Sequence, residues 1–371
     1  MKLPTIRWLA EPTRFAALGR ARARIALAVL GLFLLLSLTA LVTVGPPPVS
    51  GDPAKRADDQ SDVVLYESIV AGVCHGGGYY EVAADALRAG NYPLRPFVTF
   101  RLPGLAMVQA HLPRLATMGL LYLLVAAVFA VWGSRLRAGM TRWPPVAIGL
   151  ALLAAGLMAF VQPDLWAFHE IWAGLLVALS LGVRRPGRWI EAVAIALLAM
   201  LIRETAALFA LVMLAAAWLE GQKREAIGWG VAIACLAVAL GFHAWAVGQV
   251  TTGTDPASPG WAGLHGYGFF AKAMALSTAL RLLPMALAAL LVTLSLFGWI
   301  GWRDPAAGRV AGTLAAFGLA IALFARPDTF YWALMVAPLS LIGLAFAPDG
   351  LRDLFRQALD RRRITVTKVT R

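Results

Sequence analysis

Charge is scarce in this chain. Of its 371 residues 14% are charged and 60% hydrophobic, whereas a soluble domain carries roughly 25% charged residues. An ordinary soluble domain is therefore excluded. Cysteine is nearly absent too, with Cys74 in a polar stretch and Cys235 inside an apolar run. Contexts that differ this much put the two at different depths, which argues against a disulfide or a metal pair. No short-period repeat and no nucleotide-binding motif can be found, so neither a solenoid nor a nucleotide-driven module is expected. Acids are outnumbered 20 to 33 by Lys and Arg, a formal charge of +13. In a soluble chain that excess would suggest nucleic acid. Here the basic residues fall mainly in short loops between apolar runs, the positive-inside signature of a polytopic membrane protein. Nucleic acid is not an expected partner; membrane lipids are.

What is abundant is apolar sequence, with a mean hydropathy of +0.72 and 13 Trp. The expected fold is all-α, one integral membrane domain over 1–371 with about ten spans. A basic segment at 1–23 precedes the first apolar run, near 23–44. That run is too long for a signal-peptide core and lacks a small-residue cleavage site, so it reads as a retained span. Further spans are expected near 114–132, 144–161, 165–183, 227–247, 284–302, 310–325 and 330–347. The block 190–219 is about 30 residues long with Arg203 and Glu204 near its middle. Parity of the basic loops requires it to cross twice or not at all, and two short helices meeting at the outer face are expected; a single tilted helix, which would invert everything downstream, is the alternative. Both termini, including the basic tail 349–371, then lie in the cytoplasm, and loops 45–113 and 248–283 lie outside. The membrane is expected to be the inner (plasma) membrane. The end of the second loop, 269–283, reads as an interfacial helix with Lys272 and Arg281 snorkelling.

The longest polar stretch, 62–101, holds Asp62, Glu67, Tyr66, Tyr79, Tyr80, Tyr92, Arg88, Arg95 and Arg101 around a Gly76-Gly77-Gly78 turn. Two short helices over the membrane surface are expected, one from Asp62 to Gly72 and one from Tyr79 to Ala89, followed by an extended Tyr92–Pro96 segment. The topology gathers Asp164, His169, Glu170, Arg203, Glu204, Arg326 and Asp328 on the same outer side. Each intramembrane charge costs at least about 2.5 kcal/mol at a helix centre, so these groups suggest a water-filled cavity or a structural ion pair. Adjacent residues do not readily pair, so Arg203 and Glu204 are each expected to find another partner.

Three places resemble the GT-C superfamily of polytopic glycosyltransferases. They are the outer loop with Asp62-x-x-x-Tyr66 and GGGYYEVAADALRAGNYPLRP, the segment LIRETAALFALV from Leu201 to Val212, and the turn Arg326-Pro327-Asp328-x-x-Tyr331. The resemblance implies a polyprenyl-phosphate sugar donor, a lipid or glycan acceptor and catalysis on the outer side. It makes Asp62 the catalytic base, although Asp58, Asp59 and Glu67 stand near it as alternatives and the tight acidic pair of many members is missing. Arg203 or Arg326 would meet the donor phosphate, with Arg95 and Arg101 as further candidates because guanidinium forks onto phosphate. Tyr66, Tyr79 and Tyr80 would line the substrate groove, with Asp164, His169 and Glu204 nearby. Metal dependence varies in the superfamily, so a divalent cation stays open, but no carboxylate or histidine cluster demands one and no metal ligand is assigned. The rival expectation is a lipid-linked substrate transporter or a non-catalytic assembly subunit of the same fold.

Overall fold

A computed structural model describes residues 7–45 and 61–360, and among these the regular elements are all helices, with no strand. In chain order the α-helices are α1 (Arg20–Ser37), α2 (Ser61–Cys74), α3 (Tyr79–Ala89), α4 (Gly104–His111), α5 (Arg114–Gly139), α6 (Trp143–Gly156) and α7 (His169–Val183). They continue as α8 (Ile190–Ile202), α9 (Ala207–Leu219), α10 (Lys223–Val250), α11 (Gly266–Leu276), α12 (Met285–Gly301), α13 (Pro305–Phe324), α14 (Ala337–Ser340) and α15 (Ala347–Leu359).

Four stretches are long and apolar enough to cross a membrane: Arg20–Leu41, Arg114–Gly139, Lys223–Val250 and Pro305–Phe324. A bent pair, Pro327–Met335 with Ala337–Ala345, passes the same test as one span. Helices α6, α7, α8, α12 and Glu204–Leu219 are apolar but shorter, at 10–17 residues. These are the proportions of a membrane protein. The long helices carry their apolar side chains outward, Leu115 at 86% exposure and Phe242 at 71%. A soluble protein does not leave such faces uncovered.

Helix α7 is the centre of the molecule. Apolar on every side, it is buried along almost its whole length, as a helix without a polar face must be. A Cβ on Gly174 would stand 2.4 Å from the Leu334 carbonyl, so only glycine lets the bent pair approach this closely. Helices α5 and α8 and the 3-10 turn Pro327–Met335 flank it.

Polar contacts collect at the two ends of α7. At its C-terminal end Arg184 pairs with Glu225 of α10 at 2.6 Å, and Arg309 of α13 reaches Glu220 at 2.9 Å and Glu225 at 3.3 Å. Arg135, from the end of α5, meets Asp304 at 2.9 Å. There too, Asp349 and Asp353 of α15 accept the Trp8, Leu9 and Thr13 amides. This joins the first described residues to the last helix. Trp189 before α8 presses on Gly228 of α10, while the tight turn 219–223 joins α9 to α10. The start of α8 and the end of α9 therefore lie at the same level, the level of the first turn of α10.

Two expectations are corrected. The segment 269–283 is not an interfacial helix. Its helix, α11, is packed inside against α12 and α13, with Phe269 and Phe270 both 1% exposed. Too many large apolar groups lie around its circumference for one face to stay in headgroups. Lys272 does not snorkel but donates to the Thr43 carbonyl at 2.6 Å. The last apolar run is also not one straight helix. It bends by 69° between Pro327–Met335 and Ala337–Ala345, where Pro338 and the 3-10 turns interrupt the α-helical ladder. Asp58 and Asp59 lie outside the described residues.

Candidate functional site

The other end of α7 carries the polar cluster. Helix α2 places Asp62 in its first turn and Tyr66 four residues on, along one face. At the end of α2 the chain reverses at Gly76, whose φ of 91° suits glycine. Val82 of α3 then packs into the space above Gly72 and Gly77. The chain returns through the segment 92–101. Tyr92 donates to Asp62 Oδ1 at 2.9 Å, Arg101 Nε donates to the Tyr66 hydroxyl at 3.0 Å, and Tyr79 donates to the Arg101 carbonyl at 2.7 Å. The Arg101 guanidinium also lies 5.8 Å from the Tyr66 ring centre, within cation–π range.

Tyr66 links this loop to the spans. Its ring meets Phe168 and His169 edge-on, with centroids 5.7 and 4.9 Å apart, and Phe168 meets Tyr331 at 5.1 Å. One residue further along, Glu170 accepts from Arg203 Nε at 2.6 Å. Arg203 is the extended residue between α8 and the turn Glu204–Ala206. Asp62, Arg101, Glu170 and Arg203 all act electrostatically on the Tyr66 hydroxyl. Burial is the largest influence, and it raises the Tyr66 ionisation well above its ordinary value. Tyr66 is therefore a neutral hydroxyl that can donate at any physiological pH.

Arg203 and Glu204 do bond to each other, contrary to expectation. The break makes this possible, because the extended backbone at Arg203 swings two side chains together that a continuous helix would splay apart. Glu170, fully buried, is the second partner. A buried guanidinium held by two carboxylates escapes the cost of an unpaired buried charge.

The remaining expected residues divide. His169 lies inside the cluster, and both of its ring nitrogens are buried without a hydrogen-bond partner. Tyr80 sits at its margin, its hydroxyl 3.1 Å from His243 Nδ1 of α10. Three others, Arg95, Arg326 and Asp164, lie away from the cluster. Arg95 donates to the Asp255 carbonyl at 2.9 Å, in a seam between the loops 92–101 and 251–265. Arg88 closes the same seam with a forked contact to the Asp255 carboxylate, which holds that acid well below the usual carboxylate range. Arg326 is taken by Asp328 at 2.7 Å in an exposed pair. Asp164 is exposed in the turn Pro163–Leu165 and enters none of these contacts.

Tyr331, Gln109 and His243 join the site beyond the residues expected to bind substrate, and Glu170 and Glu67, already singled out among the polar groups, join it as well. Glu170 and Tyr331 left a signal, one as an acid opening an apolar helix and the other inside the Arg326 turn motif. Gln109 and His243 left none, since a single polar residue in an apolar helix does not show what it faces, whereas Glu67, one of the acids of the polar stretch, accepts from Trp166 Nε1 at 2.6 Å. Among the described residues no three His, Cys, Asp or Glu side chains come close enough to share a metal, so no residue here is assigned to a divalent cation.

The arrangement offers three chemical elements at one place. They are a carboxylate at the loop surface, neutral tyrosine hydroxyls, and a guanidinium with spare donors. Arg101 uses Nε for Tyr66, while its two outer nitrogens make no hydrogen bond among the described residues and are not sealed from solvent. Comparison with known proteins adds nothing to this geometry, as no family model, curated protein or solved structure matches the chain.

Proposed function

We propose that the protein is a membrane glycosyltransferase that moves a sugar from a polyprenyl-phosphate-linked donor to a lipid or cell-envelope glycan acceptor on the outer side of the membrane. One observation carries the reading: the outer-loop acid Asp62 and the broken-helix arginine Arg203 belong to one cluster, joined through Tyr66 and Glu170. In this reading Asp62 takes the proton of the acceptor hydroxyl. Tyr66 donates toward the sugar or its leaving oxygen, and Tyr79 and Tyr80 wall the groove. Arg101 is the arginine for the donor phosphate, because its outer nitrogens are free whereas Glu170 and Glu204 occupy Arg203.

The topology that accompanies this reading has ten crossings with both termini in the cytoplasm. Its support is the common level of the start of α8 and the end of α9, which suits an outward helix and a returning one. The buried ion pairs at the C-terminal end of α7 would then mark the cytoplasmic side, and the Asp62 cluster the outer side.

A lipid-linked substrate transporter is the second reading, and one feature favours it. Transporters carry helix breaks in both halves, and the bend between Pro327–Met335 and Ala337–Ala345 is a second break besides Arg203. Asp62→Asn separates the two. For the enzyme, transfer from a radiolabelled polyprenyl-phosphate sugar by protein in vesicles should fall below detection, with donor binding retained. Turnover at the native rate would remove Asp62 as base. Substrate movement without any transfer, unchanged in the variant, would establish the transporter instead.

A further inference from the structure

Behind Tyr66 lies a small cavity whose polar walls are Tyr66, Tyr79, Gln109 and His169 and whose apolar walls include Ile69 and Val70. It has room for about one water-sized group. Gln109 and His169 are each 3% exposed. Both have buried polar atoms without a partner: Gln109 Oε1, and Nδ1 and Nε2 of His169. The amide orientation is fixed, since Gln109 Nε2 donates to the Trp166 carbonyl at 2.8 Å and a carbonyl can only accept. Oε1 is therefore an acceptor left over. A neutral imidazole adds one donor and one acceptor. Burying such atoms unpaired is costly, and the two residues that carry them line one cavity, which calls for a ligand.

The complement of an acceptor beside a donor–acceptor ring is a group that both donates and accepts, of the size of one oxygen. We propose that this cavity is a recognition subsite for a single hydroxyl group of the substrate, with Gln109 and His169 as its specificity-determining partners. The inference rests on the reading of the polar cluster as a glycosyl-binding site, and Tyr66 and His169 are the residues the two places share. A charged group does not fit, for no ionised side chain lines the cavity. An aliphatic group would leave all three polar atoms unpaired, whereas a hydroxyl can accept from the imidazole N–H and donate to Gln109 Oε1. The same chemistry could come from a trapped water, which the test distinguishes.

The test uses full-length protein in nanodiscs and a panel of methyl glycosides with their single-deoxy analogues, followed by titration and by nitrogen NMR of the five histidines. One parent glycoside should bind at least about tenfold more tightly than one of its deoxy forms, and should shift the His169 ring nitrogens where the deoxy form does not. In Gln109→Met and His169→Phe the preference should shrink toward unity while the parent still binds. If the preference survives in both variants, the hydroxyl is read elsewhere and the inference fails while the glycosyl reading stands. If His169 resonances show a fixed hydrogen-bonded state that no glycoside alters, the group is water and the inference fails likewise. If no glycoside binds the native protein, both fall. Should Gln109→Met not fold, His169→Phe and the NMR shifts of the native protein decide alone.

Discussion

Arg101 shows how much a single side chain can decide at this site. A guanidinium is planar, and with Nε spent on Tyr66 its two outer nitrogens still form a fork suited to two phosphate oxygens. An ammonium cannot bond the Tyr66 hydroxyl and a phosphate with that geometry. Arg101→Lys should therefore weaken donor binding by about tenfold, corresponding to one forked charge-assisted contact, with expression and unfolding midpoint little changed. Donor titration of the variant in nanodiscs checks this, and native affinity would exclude Arg101 as the phosphate contact. At this scale the sequence was legible in part. The structure brings Asp62, Tyr66, Tyr79, Arg101, His169, Arg203 and Glu204 together, with Tyr80 at the margin, and leaves Arg95, Arg326 and Asp164 apart. The reason is geometric. The hydrophobic pattern fixes how deep a residue sits, but not the direction around the helix axis in which it points.

The elements explain why charged residues tolerate burial. Helix α7 has no polar face, so partners at its two ends must satisfy it: Glu170 with Arg203 at one, Arg184 with Glu225 at the other. Glu225 also receives Arg309, so one carboxylate holds two buried guanidiniums. Glu225→Gln keeps the shape and removes the charge. It should destabilise the protein by about 3–5 kcal/mol, the usual result when a buried ion pair loses one partner. Thermal unfolding in one detergent reads this as a lower midpoint, and an unchanged midpoint would show that Glu220 suffices for both arginines. The helix break at Arg203 is legible at this level, because a charged pair within a long apolar run has few alternatives. The burial of α11 is not legible. Its apolar residues suit either a membrane interface or a protein interior, and the choice depends on whether α12 and α13 lie against it.

For the whole molecule the ten-crossing topology makes a claim that the two native cysteines can test. Both are free and exposed, Cys74 at the end of helix α2, which this topology puts outside, and Cys235 within the apolar length of α10. In right-side-out vesicles an impermeant maleimide should label Cys74 and leave Cys235 unmodified in lipid. A Gln222→Cys variant, at the turn between α9 and α10, should react at its added thiol only after permeabilisation. Labelling of that added thiol from outside would invert the hairpin 190–219 and everything after it.

Sequence alone was sufficient for the class of the molecule: helical, rich in membrane-length apolar segments, with its polar chemistry concentrated in 62–101. These follow from composition and periodicity, which act locally along the chain and need no knowledge of what packs against what. Only the tertiary structure joined Asp62 to Arg203. Their link runs through the Tyr66 ring against His169, and then through Glu170 at the head of α7. These contacts bridge segments far apart in the chain, where burial and pairing of charge select the partners and spacing along the chain carries no trace of them.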